Sequence, residues 1–247
     1  MKWILLIFAI GLLIWWILPA IYMIQGNKAY GNGGTKDALR WYEKAQKTGH
    51  ASVSCRITYA LLLLRDGRPE EAERLLNQII RDKSIKENKK GNARIYRCMA
   101  YTKENRIEDA YEDAMELLEK GKSTTLYAMA GYVMLLSGKP DAEILDFCEE
   151  AYDYNPDERD ITDNLAAACI KTGDYERAKE LGEDLMEHYP KFVEGFYHTA
   201  CAYYALGDYE KAKTCMEGLE NCQRHYLTTV SEQEIEELKA CLKEKLA

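Results

Sequence analysis

The stretch KTGDYERAKEL at residues 171–181 returns as a near-copy, ALGDYEKAKTC, at residues 205–215. Neither copy carries an obvious catalytic group. Self-similarity at a fixed interval of about 20 to 50 residues indicates an architecture of structural repeats. The interval between these two copies is about 34 residues, so the same spacing is expected elsewhere in the chain.

Turn residues do recur at about this spacing. They are Gly33, Gly67, Asn105, Gly138, Gly173 and Gly207. Each is followed, after five residues or in one case four, by an alanine: Ala38, Ala72, Ala110, Ala142, Ala178 and Ala212. Seven residues before each stands a small residue: Gly26, Ala60, Cys98, Gly131, Ala166 and Ala200. The pattern predicts antiparallel helix pairs, because Gly or Asn can end a helix in the left-handed conformation and small residues let two helices cross closely.

The repeats resemble those of the tetratricopeptide repeat (TPR) family. The family pattern of a small residue, an aromatic residue, Gly, Ala and a closing Pro is matched best by the last two repeats. The matching residues are Ala166, Gly173, Tyr175, Ala178 and Pro190, then Phe196, Ala200, Tyr203, Gly207, Tyr209 and Ala212. Earlier repeats fit less well, since Pro69 and Pro140 replace the aromatic residue after the turn. The resemblance implies an all-α fold, an α-solenoid of about six TPR helix-turn-helix repeats within residues 19–226. The predicted repeats are 19–52, 53–90, 91–123, 124–158, 159–192 and 193–226.

The N-terminal segment predicts a membrane anchor. Residues 3–24 have no charged side chain, and thirteen of them are Leu, Ile or Phe. About 20 apolar helical residues cross a bilayer core, and these thirteen contribute roughly −4 to −8 kcal/mol to insertion. We therefore expect residues 1–24 to form a transmembrane helix. A cleaved signal peptide is the main alternative, although Leu18-Pro19-Ala20 has a bulky residue where a small one is needed. A core helix this apolar on every face would need a larger domain around it.

Charge and thiols predict the side of the membrane. Lys28, Lys36, Arg40 and Lys44 follow the apolar segment, whereas only Lys2 precedes it. The positive-inside rule then places the repeats in the cytoplasm. The eight cysteines include no CxxC pair and are typical of reduced thiols, which agrees with that side. The opposite topology stays open.

Three segments at the borders of the repeats have predicted roles. The first helix of repeat one merges with the apolar segment, so the repeats should begin at the bilayer with almost no linker. Residues 81–92, RDKSIKENKKGN, lengthen the connection between repeats two and three. They are typical of a solvated basic loop, with a membrane-surface or partner contact as the alternative. Residues 227–247 are expected to form a C-terminal capping helix, because Ser231 and Glu234 have capping-box spacing. The apolar stripe of that helix consists of Ile235, Leu238 and Leu242.

Composition and motifs argue against several functions. A net charge of −8 disfavours a general nucleic-acid binder, which needs a basic face to displace counterions from phosphate. The pairs His198/Cys201 and Cys222/His225 each share a helix face, but a structural zinc site needs four converging ligands. Nucleophile elbows, phosphate-binding glycine loops and the HExxH motif are absent. We therefore expect no enzymatic activity, metal, cofactor or small-molecule substrate.

The TPR resemblance also implies a binding groove for a protein or peptide partner, lined by the first helices of successive repeats. The equivalent positions in this chain are Thr58, Leu61, Arg65, Tyr96, Met99, Lys103, Met129, Tyr132, Asp163, Asn164, Lys171, Tyr197, His198 and Tyr204. Packing between helices is the alternative role for each of them. Some family members grip the terminal carboxylate of a chaperone tail with Lys, Asn and Arg. Here Ile57, Ala128, Met129 and Tyr197 stand at the Lys and Arg positions, so an apolar or mixed peptide segment is the better ligand.

Three functions are compatible with these features. The leading one is a membrane-anchored scaffold or adaptor that binds a partner in its groove at the cytoplasmic face. The second is an exported or periplasm-facing assembly factor. The third is a non-catalytic accessory subunit of a membrane enzyme complex.

Overall fold

The computed structural model describes residues 2–246, apart from the side chains of Lys2 and Leu5. This part of the chain contains thirteen α-helices and no strand, so the predicted all-α fold is confirmed. The helices fall into two compact units, Met1–Arg106 and Ile107–Ala247. The N-terminal unit contains α1 (Lys2–Gly31), α2 (Thr35–Lys47), α3 (Val53–Arg65), α4 (Pro69–Arg81) and α5 (Glu87–Lys103). The C-terminal unit contains α6 (Ile107–Lys120), α7 (Thr124–Leu136), α8 (Asp141–Tyr154), α9 (Arg159–Thr172), α10 (Tyr175–His188), α11 (Val193–Ala205), α12 (Tyr209–Glu220) and α13 (Glu232–Lys245).

Each of the six predicted turn residues adopts a left-handed backbone conformation. The φ angles are 80° at Gly33, 77° at Gly67, 58° at Asn105, 68° at Gly138, 83° at Gly173 and 83° at Gly207. After Gly173, the Asp174 amide donates to the Cys169 carbonyl at 2.9 Å. After Gly207, the Asp208 amide donates to the Tyr203 carbonyl at 3.0 Å. These bonds close the end of a helix that reverses through a left-handed residue, so the predicted turns are confirmed.

In the N-terminal unit, α1 continues without a break from the apolar segment into the first helix pair, as the sequence predicted. Gly26 brings α2 close to α1, since a Cβ on Gly26 would lie 2.6 Å from ring atoms of Tyr42. Tyr42 is buried, and its hydroxyl donates to Asn27 Oδ1 at 2.5 Å. At the end of α3, the Arg65 guanidinium donates to the hydroxyl of Tyr30 at the end of α1. Helix α3 therefore runs parallel to α1, and α2 runs back between them.

In the C-terminal unit, α7 contacts α9, α9 contacts α11, and α11 contacts α13. The last helix begins with a complete capping box between Ser231 and Glu234, as predicted. Its predicted apolar stripe is buried in a cluster with residues of α11 and α12, among them Met216 and Leu219. Because α13 packs on both α11 and α12, it covers the apolar face that the last helix pair would otherwise expose.

One register prediction was wrong. Ala142 was expected to pack at the crossing of the fourth helix pair, but it is exposed, and Ile144 is buried instead at 1% exposure. The cause is local: Pro140 caps α8, which begins at Asp141, three residues after the turn at Gly138. The other second helices begin two residues after their turn residues, as α10 does at Tyr175. The residue that packs at the crossing therefore comes later in the chain, at Ile144.

The two units carry charge of opposite sign. Residues 1–106 contain 19 Lys and Arg against 9 Asp and Glu, a net charge of +10. Residues 107–247 contain 14 basic and 32 acidic side chains, a net charge of −18. The overall charge of −8 hides this segregation. A separation of this size between two parts of a chain predicts different partners for each.

Candidate partner-binding site

The predicted groove residues of the N-terminal unit lie on α3 and α5. Thr58, Arg65, Tyr96, Met99 and Lys103 are all half-buried. The Thr58 hydroxyl is already used within its helix, where it donates to the Ser54 carbonyl at 3.0 Å. Burial raises the pKa of Tyr96, and the charge of Arg65 opposes this shift. The half-buried side chains leave room for a partner on α3 and α5, but this role stays a prediction.

Sequence reasoning missed Tyr30, which belongs to the same surface. Its ring is 38% exposed, and the Arg65 guanidinium lies 5.4 Å from its centroid. The signal was available: Tyr30 follows Gly26, the small residue of repeat one, by one helical turn. The groove positions predicted from the sequence begin in repeat two, so Tyr30 of repeat one is not among them.

In the C-terminal unit, three predicted groove residues are buried: Met129, Asp163 and Asn164 are each 6% exposed. The Asn164 amide donates to the Ala128 carbonyl at 2.8 Å, and a Cβ on Gly131 would lie 2.7 Å from the same nitrogen. Asn164 therefore joins α9 to α7 at a close crossing, and its side chain has no face left for a partner. Asp163 is paired with His198. The expectation that these three residues face a partner is corrected accordingly.

The predicted residues of α11 are partly covered by the capping helix. Tyr197 and Tyr204 are half-buried and pack against the cluster that contains the apolar stripe of α13. Burial raises the pKa of Tyr197, with a smaller contribution from Cys201. Tyr204 also stacks near Tyr209, with ring centroids 5.4 Å apart. These tyrosines are therefore only partly available to a partner.

A buried polar cluster joins α9 to α11. His198 Nδ1 lies 2.7 Å from Asp163 Oδ1, and the side chains are 15% and 9% exposed. Glu194 is 7% exposed and accepts a hydrogen bond from the Thr229 amide at 2.8 Å. Such burial of carboxylates is unfavourable unless they are paired or hydrogen-bonded. The cluster is thus a place where a cationic group is electrostatically favoured.

The titration of the cluster follows from its geometry. Burial alone would lower the pKa of His198, but the charge of Asp163 and the bond to it outweigh burial and raise the pKa. Burial, then the negative charge of Asp163, raises the pKa of Glu194. Tyr132 on α7 is close enough to feel Glu194: burial raises its pKa to about 12, and the carboxylates of Glu194 and Glu234 add to the shift. Tyr132 therefore lies near the cluster that joins α9 to α11.

We name this set the α7–α9–α11 surface. It consists of Tyr132, Asp163, Glu194 and His198. Lys171 is exposed at the end of α9, eight residues beyond Asp163, and its Nζ atom lies 4.0 Å from Asp141 Oδ1 at the start of α8. Glu194 was missed in the sequence because an acidic residue in the first turn of a helix is usually explained by the helix dipole. Its burial is produced by α13 and by the segment before it, which sequence spacing does not reveal.

The arrangement suits binding better than chemistry. Within residues 2–246, no group of three or more His, Cys, Asp or Glu side chains is placed to hold a metal ion. His198 and Cys201 both lie on α11, as expected, whereas Cys222 and His225 follow the end of α12 at Glu220 and do not share a helix face. The half-buried Tyr132, with Tyr197 and Tyr204 of α11, lies on this side of the unit, and such amphipathic side chains can receive a polypeptide segment.

Comparisons with known proteins agree with the helix pairs. Two segments match models described as tetratricopeptide repeat: residues 53–78, which cover α3 and most of α4, and residues 194–221, which cover α11 and α12. No curated protein sequence matches the chain significantly.

Solved structures share the fold at low sequence identity. A tetratricopeptide repeat protein from Parabacteroides merdae is 13% identical, with 92% of this chain and 86% of that chain covered and a TM-score of 0.61. The pilF protein of Pseudomonas aeruginosa is 16% identical over 90% of this chain and 97% of its own, with a TM-score of 0.60. A thermophilic TPR protein of Thermus thermophilus is 12% identical over 79% and 99%, also with a TM-score of 0.60. The two models show that the chain contains tetratricopeptide repeats, and the solved structures share the fold of the chain as a whole.

Proposed function

We propose that this protein is a membrane-anchored, non-catalytic scaffold that binds a polypeptide partner. The observation that carries the proposal is α1, a single helix with two different halves. Its first half exposes apolar side chains on every face, and its second half packs on α2 as the first helix of a repeat. An anchor and a binding module therefore share one rigid element.

The membrane part of the proposal rests on exposure and length. The span Leu6–Gly31 is long and apolar enough to cross a bilayer, with a mean hydropathy of 2.3. Trp3, Ile7, Phe8 and Trp16 are each at least 65% exposed. Exposed apolar surface of this extent is unfavourable in water and is covered when a helix inserts in lipid. A cleaved signal sequence would have the same composition, so the mass of the mature chain distinguishes the two.

The cytoplasmic side is proposed from charge. Residues 25–106, which follow the anchor directly, contain 18 Lys and Arg against 9 Asp and Glu, a net charge of +9. Basic residues close to a transmembrane segment are retained on the cytoplasmic side. The five buried cysteines with a free thiol, Cys55, Cys98, Cys148, Cys169 and Cys215, also agree with a reducing compartment.

Cys241 makes a direct test of the side possible, because it is exposed on α13. Intact cells would be treated with a membrane-impermeant maleimide, before and after permeabilisation, and Cys241→Ser would serve as the matched control. We expect labelling of Cys241 only after permeabilisation. Labelling in intact cells that disappears in Cys241→Ser would instead support the exported assembly factor.

The partner is proposed to be a peptide segment with apolar or aromatic side chains and at least one basic side chain. Tyr132, together with the half-buried Tyr197 and Tyr204 of α11, favours the former. The net charge of −18 of the unit that contains them favours the latter. This agrees with the mixed peptide expected from the sequence and adds a preference for positive charge.

A photo-crosslinking residue at position 132 of the full-length protein tests the surface in cells. Tyr154 on α8 is 47% exposed and provides the matched control position. We expect a polypeptide adduct from position 132, absent from position 154, and reduced when Glu194→Gln is combined with the probe. Equal adducts from both positions would show that the α7–α9–α11 surface is not the binding site. Co-purification of an enzymatic activity with the adduct would support the accessory-subunit function.

A further inference from the structure

The part of α1 that stands clear of other helices is shorter than a bilayer. The large apolar side chains described between Trp3 and Ile17 are all at least 37% exposed, whereas Pro19 is buried. In a helix, residues 3–17 rise by about 22 Å, and a hydrocarbon core is about 30 Å thick. If α1 spans the membrane, this mismatch draws the adjoining end of the N-terminal unit into the headgroup region.

The connection between α2 and α3 lies at that end. His50 Nε2 is 2.9 Å from the Trp15 carbonyl oxygen, and the two rings are 3.9 Å apart. The Trp15 carbonyl is open to this contact because Pro19, four residues later, has no amide hydrogen to donate. Interfacial tryptophan is typical of the boundary between lipid and water. The Trp15–His50 contact therefore marks where the repeats meet the membrane.

The connection between α4 and α5 reaches the same end. A cleft of about 260 Å³ is lined by Gln46, Gly49, Ala51, Arg56 and Gln78. The end of α2, the start of α3 and the end of α4 are thus neighbours. Helix α5 starts there too, because it runs antiparallel to α4, with Arg97 Nη1 donating to Asn77 Oδ1 at 2.9 Å.

We define the basal end as residues 44–56 and 78–90, the two connections with their adjoining helix ends. Its basic side chains are Lys44, Lys47, Arg56, Arg81, Lys83, Lys86, Lys89 and Lys90, against the two acidic residues Asp82 and Glu87. Both carboxylates are already used: Asp82 Oδ1 accepts from the Ser84 amide at 2.9 Å, and Glu87 Oε1 accepts from Lys90 at 2.7 Å. Lys83, Lys86 and Lys89 are exposed. Lys90 is buried and Lys47 is paired with Glu43 at 2.6 Å, so the positive charge that the basal end presents beside α1 comes mainly from Lys83, Lys86 and Lys89.

We propose that the basal end is a second membrane contact that binds the headgroups of anionic phospholipids in the bilayer occupied by α1. This inference rests on the proposed anchoring by α1. Basic side chains held within a Debye length of an anionic leaflet are attracted to it, and the effect adds over several residues. Two attachments, one apolar and one ionic, fix the tilt of the first repeats at the membrane surface. Residues 81–92 supply most of the lysines. The sequence predicted a solvated loop over this segment, with a membrane contact as the alternative, but residues 87–92 belong to α5, so the connection itself is only 82–86.

The full-length protein in lipid nanodiscs tests the proposal. One set of discs contains only phosphatidylcholine, and the other contains about one third phosphatidylglycerol, enough to give an anionic surface potential. Co-elution with the discs reports anchoring, and hydrogen exchange of the amides of residues 82–90 reports the headgroup contact. We expect equal co-elution from both sets and roughly tenfold slower exchange in the anionic discs, with the difference shrinking at high salt.

A matched pair of variants identifies the residues. Lys83→Gln/Lys86→Gln/Lys89→Gln removes three charges from the basal end and should abolish the lipid dependence. Lys28→Gln/Lys36→Gln/Arg40→Gln removes three exposed charges from elsewhere in the unit and should leave it unchanged. Co-elution without lipid-dependent exchange, or equal effects of both variants, overturns the headgroup contact while anchoring stands. Failure to co-elute with either disc overturns both.

Discussion

Substitution of Gly182 by alanine tests the closest helix crossing of the C-terminal unit. A Cβ at position 182 would overlap the Thr199 hydroxyl and lie 3.0 Å from Thr199 Cβ and 3.3 Å from Thr199 Cα. Thr199 is fully buried and its hydroxyl donates to the Gly195 carbonyl at 2.6 Å, so it cannot rotate away freely. Overpacking of this kind costs about 1–3 kcal/mol, while Gly→Ala in a helix returns up to about 1 kcal/mol. We expect a net loss of about 1–2 kcal/mol.

Gly91→Ala is the matched control, because nothing lies within 4 Å of the Cβ it would add in α5. It should gain about 0.5–1 kcal/mol. Urea unfolding followed by far-UV circular dichroism, with hydrogen exchange of α10 and α11 as a local measure, would compare the variants. Thr199→Ala should make room for the new methyl group, so that the double variant is more stable than the sum of the single effects by about 1 kcal/mol. Equal gains from Gly182→Ala and Gly91→Ala, with no coupling to Thr199, would refute the close crossing.

Three further results are expected. Gly207→Ala should lose about 1–2 kcal/mol, measured by urea unfolding, because φ is 83° there and a Cβ disfavours the left-handed region. Ser231→Ala should lose about 1 kcal/mol and speed hydrogen exchange in α13, since it removes half of the capping box; unchanged exchange would contradict the cap. The free energy of unfolding should depend on pH, because the pKa values of Glu194 and His198 are both raised in the folded state. Each group stabilises the fold below its ordinary pKa, 4.5 for Glu194 and 6.5 for His198, and this contribution is lost as pH rises through the folded-state pKa. Asp163→Asn should flatten the second step in pH-dependent melting; an unaltered step would show that Asp163 does not hold the His198 charge.

The parts of the fold that depend on local backbone chemistry could be predicted from the sequence. A left-handed turn requires Gly or Asn whatever surrounds it, which is why the spacing of Gly67, Asn105 and Gly173 located the ends of helices. The register of α8 could not be read from spacing alone, because Pro140 delays that helix start. Ala142 was therefore assigned to a crossing that Ile144 occupies.

The candidate site was less predictable because the exposure of a side chain depends on the packing of other helices around it. The family pattern predicts which positions of a helix face the groove, but it does not predict the distance to the neighbouring helix. Asn164 is not available to a partner, because Gly131 lets α7 approach its side-chain amide. Glu194 joins the candidate site, because the amide of Thr229, outside the repeats, donates a hydrogen bond to its buried carboxylate. Neither effect follows from a single repeat, since each involves residues about one repeat length or more apart.

The segregation of charge connects the two proposed contacts. A uniformly acidic protein would be repelled from an anionic leaflet, and a uniformly basic one would bind it along every exposed face. Here the unit that contains α1 carries the net charge of +10, and the unit that contains the α7–α9–α11 surface carries −18. An anionic membrane can therefore bind the N-terminal unit without occupying the partner site of the C-terminal unit. The acidic side chains that favour a basic peptide there repel anionic lipid. Reversal of charge at Lys83 and Lys86 should then weaken the lipid contact without reducing crosslinking from position 132, whereas loss of both together would show that the partner site depends on the membrane contact.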